Sequence, residues 1–152
     1  METLFQPYFK NCNPPLAETG IAKVEQELGV QLPFQLRSFY LFANGADLLN
    51  TQINLEYPLN CDVMGIRPLD DGSIIVEFKS IEGNYDFFGE QLEHGECLFP
   101  FGFTTCPWKI YISHIGENLG KVYISEEKDE ERNFIPVRLI ANSFLEFLDM
   151  LE

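Results

Sequence analysis

Basic side chains are scarce: 10 Lys and Arg stand against 24 Asp and Glu in 152 residues, a formal net charge of −14. Phosphate recognition relies on clustered Lys and Arg, so this balance argues against direct nucleic-acid binding and against anionic membrane surfaces. Long apolar runs are also missing, and nothing approaches the roughly 20 residues needed to span a bilayer. Residues 1–13 carry Glu2 and Lys10 among scattered apolar residues. A secretory signal needs a basic tip and an unbroken apolar run, so the cytoplasm is the expected compartment. The 4 cysteines, Cys12, Cys61, Cys97 and Cys106, form no Cys-x-x-Cys pair. That spacing fits neither a dense disulfide framework nor a common zinc site, and reduced, mostly packed thiols are expected.

What is present suffices for a core. Hydrophobic residues make up 45% of the chain and aromatic residues 14%, and the length suits one domain over residues 1–152, with residues 1–13 as an N-terminal extension. Asn13-Pro14-Pro15 predicts a helix entry, and Ala17, Ile21, Val24 and Leu28 follow at helical spacing up to Gly29. Leu32-Pro33 opens a second helix, with Leu36, Phe39, Tyr40 and Ala43 on one face and Asn44-Gly45 as its stop. From Thr51 the period changes to two, with Ile53, Leu55 and Tyr57 alternating with polar residues as on a half-buried strand. Residues 63–69 predict another strand. Residues 73–92 fit either helix or strand, with helix favoured, and Gly83 and Gly89 limit its length.

Leu98–Phe103, Trp108–Ser113 and Lys121–Ser125 read as strands of an antiparallel meander, and Phe134–Ile140 as a last strand. Ser143-x-x-Glu146 is a capping box before an apolar stripe of Phe144, Phe147, Leu148 and Leu151. Helices, then strands, then a helix define an α+β domain: a central antiparallel sheet flanked by N-terminal helices and a C-terminal helix.

Enzyme chemistry finds little support. His94-Gly95-Glu96 matches half of a zinc-deaminase signature, but Cys106-Pro107 reverses the order that the Pro-Cys-x-x-Cys half requires. His94, Cys97, Cys106 and His114 do not have a usual zinc spacing, and nothing local orients either histidine as a base for a cysteine nucleophile. No phosphate-binding or dinucleotide fingerprint occurs. Neither a catalytic residue, a metal nor a cofactor is expected.

The segment Ile21–Gly29, then Leu32-Pro33, Phe39-Tyr40 and Asn44-Gly45, resembles the opening signature of the Smi/Knr family within the SUKH superfamily. Phe101-Gly102, Gly120-Lys121-Val122-Tyr123 and Ala141–Phe147 resemble its central strand-and-glycine step, its following hairpin and its last helix start. The resemblance covers about residues 14–151. One departure is that Phe103–Trp108 replaces a glycine-rich stretch with an acidic residue. Each signature residue also has a structural explanation as a helix start or stop. The resemblance implies a binding module, most often a cytosolic immunity protein that neutralises a polymorphic toxin, frequently a nuclease (RNase or DNase) or a deaminase. The alternative is an intracellular scaffold or regulator of the same fold without a toxin partner.

Charge supports a basic protein partner, here the basic C-terminal domain of a cognate toxin. Residues 1–60 hold 6 acidic and 3 basic side chains, while residues 61–152 hold 18 and 7. The densest stretch, residues 62–96, has nine acidic and two basic residues around Tyr85, Phe87 and Phe88. Aromatic anchors inside a charged rim are a common interface design. The expected partner-binding residues are therefore Asp70, Asp71, Glu82, Tyr85, Asp86, Phe88, Glu90 and Glu93, and secondarily Glu126, Glu127, Asp129, Glu130 and Glu131. The structural alternatives are core aromatics and a solvated loop.

Overall fold

The computed structural model describes residues 2–53, 62–83, 90–105 and 109–152. Its element order is α1 (Glu2–Phe5), β1 (Phe9–Lys10), α2 (Glu18–Leu28), α3 (Phe34–Phe42), β2 (Ala46–Leu48), β3 (Val63–Ile66), α4 (Gly72–Glu82), β4 (Leu98–Pro100), β5 (Gly102–Thr104), β6 (Ile110–Ser113), β7 (Val122–Ser125), β8 (Val137–Ala141) and α5 (Phe144–Asp149). Short 3-10 turns precede β1 and β4. The domain is α+β, and among the described residues its strands divide between two four-stranded antiparallel sheets, ordered β1-β2-β3-β5 and β4-β6-β7-β8.

The helices form where their apolar spacing says they should. Ile21, Val24 and Leu28 bury one face of α2, and Gly29, at φ +70°, closes it in the left-handed conformation. The expected entry at Asn13-Pro14-Pro15 is corrected: α2 starts at Glu18, and the Asn13 side chain instead donates to the Asn44 carbonyl at 2.9 Å. Asn44-Gly45 also does more than stop α3, which ends at Phe42. The Asn44 carbonyl oxygen of its side chain accepts from the Leu69 amide at 2.8 Å, fastening the segment before α4. Glu25 joins the two helices, accepting from the Leu32 amide and from Arg37 Nε. Residues 72–82 are helical, and Asp71 caps them.

The run expected as one strand over Leu98–Phe103 is two. β4 pairs with β6 in one sheet, whereas β5 pairs with β3 in the other. Phe101 is the crossing residue, fully buried, with its ring 5.7 Å from both Phe144 and Phe147 of α5. Burial of such a side chain contributes roughly 1.5–3 kcal/mol. Gly102 follows because a Cβ there would stand 2.5 Å from Ile110 Cγ2, where the two sheets come together.

Residues set aside as an N-terminal extension reach the core. Phe5 is fully buried, 5.7 Å from Phe39, and Phe9 is 4.7 Å from Phe39. Ile53 bridges Leu151, and Gln52 and Glu152 exchange backbone hydrogen bonds. The remainder of the strand expected from Thr51 to Tyr57 lies outside the described residues.

Candidate protein-binding surface

The acidic residues separate into two groups. Asp70, Asp71 and the buried Glu77 gather around the start of α4, where donors within the chain occupy them. Asp70 accepts from the Asn44 side-chain amide at 2.9 Å. Asp71 accepts from the Ser73 amide and hydroxyl, both at 2.9 Å. The Ser73 amide hydrogen bond, more than any other contact, holds the Asp71 carboxyl below its ordinary range. Glu77, only 4% exposed, pairs with Arg67 at 2.6 Å, and Arg67 also donates to Ser73 Oγ. Composition gives no hint that Glu77 is buried; its place on the inward face of α4, one residue before Phe78, is the available signal.

Glu90, Glu93 and residues 126–131 form the second group, although they are far apart in sequence. Residues 90–93 run along the β8 side of the second sheet: the Ile135 amide donates to the Gln91 carbonyl at 2.8 Å, and the Glu93 amide to the Ile135 carbonyl at 3.0 Å. Glu93 Oε1 also accepts from the Val137 amide, and Glu90 pairs with Lys128 at 2.8 Å. The connection from β7 to β8 carries Glu126, Glu127, Glu130 and Glu131 exposed. Asp129 shapes it by accepting from the Glu131 and Arg132 amides. Two segments expected as first and second candidates therefore make one surface.

Glu82, exposed, stands at the C-terminal end of α4, the opposite end from Asp70 and Asp71. Its charge is felt by His114, whose imidazole pKa burial nonetheless holds below the ordinary value. The His114 ring packs edge-on against Phe78, 5.6 Å between centroids. Tyr85, Asp86 and Phe88 lie outside the described residues, as do Phe87, Cys61 and Cys106.

Beside the second acidic group lies an apolar recess that no periodic signal in the sequence marks. Each strand of the second sheet contributes one side chain: Leu98 from β4, Ser113 from β6, Tyr123 from β7 and Val137 from β8. His94 and Cys97 form one wall, and the turn of Ile115, Gly116, Glu117 and Asn118 forms the other. The volume is about 240 Å³. His94 also lines a neighbouring depression with Gln91, Leu92, Glu93 and Phe134, so the recess continues toward the acidic connection. Its backbone takes a left-handed φ of +56°, a conformation uncommon for a residue with a side chain. Burial, and secondarily the Glu96 charge, pushes the Cys97 thiol up, which favours its protonated form. Ile115 is 57% exposed and Leu139, opposite Tyr123 in the ladder, 47%.

Among the described residues, no three His, Cys, Asp or Glu side chains come together to hold a metal. No described helix is long and apolar enough to cross a membrane. The arrangement is an apolar recess with Glu117 in its lining and Glu93 in the adjoining depression. The chain belongs to the SMI1 / KNR4 family (SUKH-1), whose family model matches residues 15–150. That family is known for immunity-type proteins. Comparison with curated proteins finds no match.

Proposed function

We propose that this protein is a cytoplasmic immunity protein that binds a cognate polymorphic toxin and neutralises it without catalysis. The carrying observation is that the connection bearing the exposed Glu126, Glu127, Glu130 and Glu131 starts beside the apolar recess on the second sheet: the Glu126 amide donates to the carbonyl of Pro136, next to Val137 in the lining. The toxin that fits is a nuclease, because a domain that grips polyphosphate displays a basic cleft. The acidic connection steers that cleft inward, and the recess and exposed Ile115 and Leu139 supply apolar contact once it arrives. The inhibitor then occupies the path of the nucleic acid. Family membership supports a binding role, and net charge supports the sign of the partner.

The test is protection. The C-terminal domain of a large secreted protein encoded beside this gene is expressed in a sensitive bacterial host, alone and together with this protein. Growth arrest by the domain, relieved by wild type and not by a Glu127→Lys, Glu130→Lys variant, is the expected result. A toxic domain that stays toxic in the presence of folded wild type would contradict the reading. The scaffold or regulatory role would then take its place.

A further inference from the structure

We propose that the recess on the second sheet receives one arginine side chain of the partner; this rests on the immunity reading for the partner's identity, while the recess itself is a property of this chain. Its volume of about 240 Å³ falls below the roughly 300–1,000 Å³ typical of small-molecule sites, which suits one inserted side chain.

The walls select the kind of side chain. Leu98, Val137 and Ile115 offer an apolar lining to a methylene stem, and the half-buried Tyr123 ring offers a face on which a planar guanidinium stacks. Glu117 lies in the lining, Glu93 in the adjoining depression, and the Glu96 charge reaches Cys97 inside the recess. Lys121, just after the turn that carries Glu117, donates to Asn118 Oδ1 at 3.2 Å. An apolar shaft under a negative rim fits a long cationic side chain and disfavours a carboxylate. Arginine suits it better than lysine, because guanidinium is planar, more weakly hydrated and stacks on aromatic rings.

The recess is testable without a toxin. The ¹⁵N-labelled protein is titrated with n-propylguanidinium, n-butylammonium and n-butanol at neutral pH and low salt. Saturable amide shifts are expected at Cys97, Ile115, Tyr123 and Val137, with guanidinium reaching half-saturation at about a three-fold lower concentration than butanol, as a partly exposed ion pair gives. Butylammonium should fall between them. Glu117→Gln should narrow that preference with the spectrum otherwise preserved, and Tyr123→Leu should weaken guanidinium more than butanol. Non-saturating shifts, shifts elsewhere on the protein, or equal affinity for butanol and guanidinium would overturn the assignment. A toxin that binds while the recess ignores the cation would refute the arginine anchor alone. A recess that takes propylguanidinium in a protein that fails to protect would refute the immunity reading alone.

Discussion

The start of α4 and the connection between β7 and β8 are both rich in carboxylates, yet they use them in opposite ways. Around α4 the acids are engaged from inside the chain: Asp70 by Asn44, Asp71 by Ser73, and Glu77 by Arg67. Between β7 and β8, Glu126, Glu127, Glu130 and Glu131 face solvent, with Asp129 alone turned inward to shape the turn. The first group stabilises the fold and the second projects a field. Density of charge along the sequence does not distinguish them, whereas the destination of each carboxylate's hydrogen bonds does.

The largest expected effect that sharpens this contrast is at the buried pair. Arg67→Ala leaves Glu77 buried without its cation, and loss of one partner of such a pair costs about 3–5 kcal/mol. Urea unfolding measures it. A loss below about 1 kcal/mol, the range of a surface pair, would place Glu77 with the solvent-facing acids.

Asp71→Ala removes the α4 cap and should cost about 1 kcal/mol near neutral pH. The sign of its pH dependence follows from the depressed folded-state pKa. The stabilisation is complete above the ordinary aspartate value of 3.8 and is lost as pH falls through the lower, folded value. The gap between wild type and Asp71→Ala should therefore shrink in acid. A gap constant down to the acid transition would deny the carboxylate that role.

His114 adds a pH effect of the same sign. Its pKa is lowered by burial, so the neutral ring is the native form, and stability is complete above the ordinary 6.5 and falls as pH drops through the folded value. Replacement by Phe should flatten stability against pH across that window; an unchanged slope would exclude His114 as its source. The smallest stability effect is expected from Glu127→Gln, Glu130→Gln, Glu131→Gln together, within about 0.5 kcal/mol of wild type, because these side chains are exposed.

The helical part of the fold was legible in sequence because its signals are local. The spacing of Ile21, Val24 and Leu28, the glycine after it, and the serine of Ser143-x-x-Glu146, whose Oγ accepts the Glu146 amide at 3.1 Å, act within a few residues. The sheet assignment was not. Leu98-Phe99-Pro100-Phe101 is buried throughout, and a continuous apolar run carries no mark of where the chain leaves one sheet for another. Asn13 misled because its side chain satisfies a carbonyl across space instead of a nearby amide. For the site, sequence supplied the sign of the charge and the acidic connection. It did not supply the pairing of residues 90–93 with Ile135, nor a recess assembled from four strands and two turns, since both depend on contacts between distant segments.

On the proposed function, the β7–β8 acids, and not those at the start of α4, meet the partner. The most direct test is the association rate of the toxin domain with two variants of equal charge change. One carries Glu127→Gln and Glu130→Gln; the other carries Asp70→Asn and Asp71→Asn, which keeps a capping side chain at residue 71. The first variant should associate about ten-fold more slowly at low salt, with a flattened dependence on salt as screening shortens to about 10 Å at 0.1 M, while the second should change less than about two-fold. Equal slowing in both, or slowing confined to the second, would contradict that proposal.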